Sequence, residues 1–147
     1  MIDEADLWYC GGSPENWMKS IKYSLEIEPR FTYWGIHHED LNNILKYLED
    51  ASGRELVGRY RQLIENLVMV FNKVLTIKKP NIAMFYYTSP VKGYIGAGLI
   101  LSLELNPGEL FWKDEYNQMR VMYPYRFRML VLWLHETVLQ SPNNVSA

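Results

Sequence analysis

The clearest rhythm along the chain is helical. Leu56, Tyr60, Leu63, Ile64, Leu67, Val68, Phe71, Val74 and Leu75 recur at steps of three and four, which lines them on one stripe and predicts a long amphipathic helix. Ser52 with Glu55 forms a capping box for it, while Arg54, Arg59, Arg61 and Lys73 read as its solvated side. Upstream, Leu41, Ile44, Leu45 and Leu48 mark a second helix that breaks at Ala51-Ser52-Gly53. Earlier still, Ser13-Pro14 pairs an N-cap with proline at the first helical position; Trp17, Ile21 and Ser24 or Leu25 follow at helical spacing, and Pro29 stops the helix.

Other stretches read as strands. Leu7-Trp8-Tyr9-Cys10 is closed by Gly11-Gly12, and Phe31 to Ile36 is an aromatic extended piece. Ile82 to Leu105 holds two β-rich runs around Ser89-Pro90-Val91-Lys92-Gly93, an antiparallel hairpin that should be the spine of a sheet. Gly96 and Gly98 share one face of its second strand, so something should approach that backbone closely: a bulge, a crossing helix, or a flat ligand near Tyr86 and Tyr87. Asn106-Pro107-Gly108 is a turn, and Glu109 to Glu115 sets large aromatics beside charges, as loops next to sites often do. Val121 to Leu134 is the last long apolar region, with Tyr125, Phe127 and Met129 on one face and Arg126 and Arg128 on the other. Residues 1–138 make one domain and 139–147 a Ser/Pro/Asn tail or linker to a further domain.

Composition narrows the class. With 48% apolar residues and a formal net charge of −2, this is an ordinary globular domain and a poor candidate for a strongly basic nucleic-acid binder. The charge is uneven: residues 1–50 carry ten acids against four bases, and the remainder eleven bases against seven acids, so a basic patch in the later part stays open. A lone Cys10 excludes an intrachain disulfide and a cysteine-based zinc site, and reads as a small buried residue. The acidic start lacks the regions of a signal peptide and no apolar run approaches a membrane span, so the expectation is a cytoplasmic protein with no membrane partner.

No Walker loop, dinucleotide fingerprint, nucleophile elbow or zinc-protease helix occurs, and Gly93-x-x-Gly96-x-Gly98 sits in a strand, the wrong context for cradling phosphate. The expectation is no enzyme and no cofactor. His37-His38-Glu39-Asp40 supplies adjacent histidines that point in different directions, so it reads as the start of a helix with Glu39 and Asp40 at the positive end, with no metal. Trp34 and Trp112 fit no helical stripe. Two facing indoles can sandwich a flat heterocycle, because stacking contributes ~1–3 kcal/mol per base.

The order of strand, short helix, Tyr33-Trp34-Gly35, Phe85-Tyr86-Tyr87-Thr88-Ser89, Gly93-x-Ile95-Gly96-x-Gly98 and Tyr123-Pro124-Tyr125-Arg126-Phe127 resembles the EVE domains of the PUA-like superfamily. These are relatives of the YTH readers of methylated adenine, and the similarity runs over most of Leu7 to Leu134. The resemblance implies an α+β fold: a small mixed, mainly antiparallel β-barrel with helices packed outside, and a cavity that accepts a flipped base. Carried over by position, Trp34 and Trp112 are the cage walls. Gly35 lies near the base edge, Asn16 bonds that edge, and Tyr87 and Ser89 floor the pocket. The long helix and the early end look more like the N-terminal specificity domain of a McrB-type modification-dependent restriction system, whose partners are an AAA+ GTPase motor and a nuclease subunit.

The expected function is therefore recognition of a modified, methylated base in DNA by base flipping into an aromatic cage. Arg126, Arg128, Lys92 and Lys113 are the candidate phosphate contacts. Loss of either indole is expected to abolish discrimination and spare the fold. A PUA/YTH-like reader of modified RNA is the alternative. A hydrolase using Glu39, Asp40 and the histidines, or a protein-interaction domain with core aromatics, are the further rivals.

Overall fold

The computed structural model describes residues 5–53, 60–77, 79–88, 93–106 and 108–140, without the side chains of His38, Glu39, Ser52, Tyr60, Arg61, Leu63, Ile64, Ile77 and Gln140. Its strands are β1 (Asp6–Gly12), β2 (Phe31–Ile36), β3 (Asn81–Tyr87), β4 (Gly93–Leu105) and β5 (Tyr125–Leu134). The helices are α1 (Pro14–Lys22), α2 (His38–Ser52), α3 (Tyr60–Ile77), α4 (Lys113–Gln118) and α5 (Glu136–Gln140). The fold is α+β. No described helix is long and apolar enough to cross a membrane.

Local chemistry explains the helices. The Ser13 hydroxyl accepts from the Asn16 N–H at 3.2 Å, and Pro14 opens α1 without wasting a donor. A π turn over Tyr23–Ile27 follows, which brings Ser24 inward (4% exposed) and leaves Leu25 outside at 46%. α2 buries Ile44, Leu45 and Leu48 and ends at Gly53, whose φ of 66° is the left-handed cap glycine favours. α3 buries Leu67 and Phe71, and Lys73 lies exposed on it. The Ser52–Glu55 capping box, with Arg54, Leu56 and Arg59, lies outside the described residues.

The sheet has five strands in the order β1-β3-β4-β5-β2. β1 pairs with β3 in parallel, and the β3–β4, β4–β5 and β5–β2 pairs are antiparallel. The hairpin is thus the spine expected of it, but the sheet does not close into a barrel. Edge strands β1 and β2 are both left with an open side. The sheet curls far enough for Trp8 of β1 to meet Phe127 of β5 edge to face at 5.5 Å, and side chains fill the remaining seam. The Trp34 indole donates to the Gly11 carbonyl at 3.1 Å, the Trp17 indole to the Tyr86 carbonyl at 3.0 Å, and Ser20 of α1 to the Tyr33 carbonyl at 2.8 Å. Helix α1 thus ties β3 to β2 through Trp17 and Ser20, and the sheet stays open where a closed, mainly antiparallel barrel was expected.

The same-face glycines have an internal explanation. Phe85 lies opposite Gly96, and a Cβ on Gly96 or Gly98 would come within 2.8 or 2.9 Å of the Phe85 ring. Register shifts fall between Phe85 and Tyr86 and between Ala97 and Gly98. Phe85 in turn stacks on Trp17 at 4.4 Å, so the space is taken by the ring that docks α1 on the sheet, and no ligand is needed to account for it.

Candidate functional site

Four elements meet at the seam: the end of β1, the first turns of α1, the end of β2, and the segment 109–123 that links β4 to β5. Between them is a cavity of about 210 Å³ lined by Gly11, Gly12, Asn16, Trp17, Ser20, Trp34, Gly35, Trp112, Asp114 and Tyr123, together with Ser13. Pockets for drug-sized ligands run to about 300–1,000 Å³, so this one is scaled to a single small ring system. Trp34, Gly35, Trp112 and Asn16, singled out from the sequence, all line it.

Each wall has a structural role as well. Trp34 stacks on Phe127 at 5.7 Å and 25°, so one indole face is covered by the core. Trp112 is 3% exposed, with its indole N–H on the Ser20 hydroxyl at 3.0 Å. The expectation that losing either indole spares the fold is therefore corrected: both rings are packed on the interior and their loss will be felt there. Gly35 sits under the second wall. A Cβ there would lie 2.4 Å from Tyr123 Cβ and 2.7 Å from Trp112 Cζ3, contacts that the stem of a side chain cannot yield. Gly35→Ala should cost about 1–3 kcal/mol by overpacking and push the Trp112–Tyr123 wall off β2. A denaturant midpoint unchanged from the parent protein would contradict this.

The wall is held from behind by a buried ion pair. Glu115 Oε1 accepts from the Phe111 and Trp112 amides at 3.0 and 3.3 Å and lies 3.4 Å from Arg126 Nη2. Its Oε2 accepts from the Met122 and Tyr123 amides at 2.8 and 3.0 Å. Arg126 also donates to the Tyr123 and Glu109 carbonyls at 3.0 and 2.5 Å, and its guanidinium lies 5.2 Å from the Trp112 ring centre. Burial pulls the Arg126 pKa down from its ordinary value, opposed chiefly by the Glu115 carboxylate. Two side chains, 0% and 2% exposed, thus fix the whole segment that carries Trp112 and Tyr123.

Polar groups converge inside the cavity. Asp114 Oδ2 accepts from the Tyr123 hydroxyl at 2.6 Å and from Asn16 Nδ2 at 3.2 Å, while Oδ1 accepts from the Glu115 amide at 2.9 Å. Burial, then the bond to Asp114, raises the Tyr123 pKa well above its ordinary value, which keeps that hydroxyl a donor.

Other candidates fall elsewhere. Arg126 is not a phosphate contact: it is on the outer face of β5, as alternation requires, but the 109–123 segment covers that face. Arg128 lies 4.5 Å over the Phe31 ring and is paired with Glu28, so much of its charge is already offset. Lys113 is exposed and 3.1 Å from Glu15. Tyr87 does not line the cavity; it is buried, its hydroxyl has no hydrogen-bond partner among the described residues, and burial pushes its pKa up to about 12. Ser89 and Lys92 lie outside the described residues. His37 occupies the position just before α2, which places His38, Glu39 and Asp40 in its first turn as expected. Cys10 is buried, and burial raises its pKa well above the ordinary value.

Sequence reading missed Asp114, Glu115, Tyr123, Ser20 and Trp17 as parts of this site. A signal for Glu115 was present: an acidic residue three places after the residue that starts a helix reaches back to that residue's amide. Asp114 falls in the stretch that reads as lying next to a site and Tyr123 in the Tyr-Pro-Tyr-Arg motif, but neither pattern gives them a role there.

A second cavity of about 380 Å³ lies beyond Trp34, between β1 and α2, lined among others by Trp8, Cys10, Trp34 and Phe127 with Asp6, Asp40 and Asp50. Three carboxylates against one ammonium, that of Lys46, disfavour a polyanion there. No protein-family model matches this chain, and comparison with curated proteins gives no match either.

Proposed function

We propose that this chain is a binding module that takes a base turned out of modified DNA into the cavity between Trp34 and Trp112. One observation supports the reading above all: a cavity on the scale of a single ring system gathers both indoles, the glycine that lets the second wall approach, and the Asn16 amide. Extruding a base costs a few kcal/mol, which stacking and edge hydrogen bonds must return, and a methyl group adds apolar contact against the rings. Lys113, exposed and next in sequence to the lining residues Trp112 and Asp114, is a candidate for backbone contact, in exchange for its pairing with Glu15.

The test is titration against matched duplexes carrying different methylated bases, alongside RNA of the same sequence. The proposal expects at least one modified DNA duplex to bind several-fold more tightly than the plain one, and overall affinity to fall with salt. Tighter binding to RNA would transfer the reading to the 2′-hydroxyl-dependent alternative. Equal affinity for every duplex would end it.

A further inference from the structure

Resting on that base-binding reading, we infer that Asp114 is a specificity residue and that the cavity takes a heterocycle bearing an exocyclic amine, with its oxo counterpart excluded. The carboxylate lines the cavity, and its position is held by three donors: the Tyr123 hydroxyl, the Asn16 side-chain amide and the Glu115 backbone amide. A carboxylate offers about four acceptor positions, so one remains beyond these three. It can only accept. Asn16 gives one amide hydrogen to Asp114, and its side chain also interacts with the Tyr123 hydroxyl. The polar side of the cavity presents an acceptor, Asp114, beside the Asn16 amide, and both are held by hydrogen bonds before a ligand arrives.

An amino group next to a ring nitrogen, as on cytosine or adenine, offers the complementary donor and acceptor. In the oxo analogues the position of the amine is a carbonyl, whose lone pairs would face the carboxylate. Thymine and hypoxanthine still have a ring N–H, but it lies directly beside the carbonyl that replaces the amine, so bringing it to Asp114 also brings that oxygen towards the carboxylate. Buried polar groups left without a partner cost more than a lost apolar contact, which is why a single acceptor here can discriminate. Singly N-methylated amines keep one hydrogen and remain acceptable; doubly methylated ones do not.

The experiment uses two near-isosteric pairs, 5-methylcytosine against thymine and adenine against hypoxanthine, each placed in a duplex opposite an abasic site so that extrusion is equally easy. The parent protein should prefer the amino member of at least one pair by about 5- to 150-fold, the range for one well-made base contact. Asp114→Asn, which can present N–H in place of an acceptor, should reduce that preference to within twofold or invert it. Thermal unfolding of the variant shows whether it is folded. Should it not fold, the parent ratios decide, and a ratio within twofold for both pairs overturns the assignment. A preference that survives in a folded Asp114→Asn protein overturns it as well, while leaving the base-binding reading intact. Binding that is indifferent to every probe base, with an abasic control equally good, removes that underlying reading and this inference together.

Discussion

Replacing Glu115 with alanine is expected to cost about 3–5 kcal/mol of folding stability, the usual penalty for removing one member of a buried ion pair. Glu115 is 0% exposed, and its two oxygens satisfy four backbone amides besides facing Arg126. Its loss leaves a buried guanidinium without its counter-charge and four N–H groups without an acceptor at once. Arg126→Met should cost less, because the carboxylate keeps its four amide donors and methionine fills part of the space. Chemical denaturation of the two variants checks the order. An Arg126 variant less stable than the Glu115 variant would show that the guanidinium, through its bonds to the Tyr123 and Glu109 carbonyls, carries more of the segment than the carboxylate does.

The second large effect concerns Trp34. Trp34→Ala should remove discrimination between modified and plain duplexes, since stacking on one aromatic wall amounts to ~1–3 kcal/mol. It should also destabilise the fold by about 3 kcal/mol or more, because the indole packs on Phe127 and its N–H ties β2 to Gly11 across the seam. Trp34→Leu separates the two effects. Leucine restores apolar contact with Phe127 but has no planar face, so much of the stability should return while discrimination does not. Retention of full discrimination by a folded Trp34→Leu protein would mean that the ring is a core residue only.

Some of this molecule is legible from residue patterns. Ser13-Pro14 marks the start of α1 because the cap and the proline act within one turn. The stripe Leu41 to Leu48 marks α2, and Gly53 ends it, for equally local reasons. The two β-rich runs around residues 89–92 became β3 and β4. The meeting of Trp34, Gly35, Trp112 and Asn16 at one cavity was expected through resemblance, since nothing local brings residues 16, 34 and 112 together.

What period-two alternation cannot supply is which face of a strand becomes covered. Arg126 and Arg128 share a face of β5 and look alike in the sequence, yet one is 2% exposed under the 109–123 segment while the other lies at the surface over Phe31. The difference comes from Glu115, eleven residues away, which makes burial of a guanidinium tolerable. The glycines of β4 likewise announced a close approach without naming the approaching groups, which proved to be the Phe85 ring of β3 and, at Gly96, the Trp133 carbonyl of β5 as well.

The sequence by itself determined where α1 and α2 begin and that α2 ends at Gly53, which side chains share a strip, and that glycine must stand where backbones or rings crowd. Those are properties of a few consecutive residues. Only the tertiary structure decided the parallel pairing of β1 with β3, the open sheet whose strands β2 and β3 are tied together by α1, and the placing of Asp114 among three donors. Each of these depends on free energies summed over segments far apart in the chain, where desolvation of a charge is offset only once its distant partner arrives.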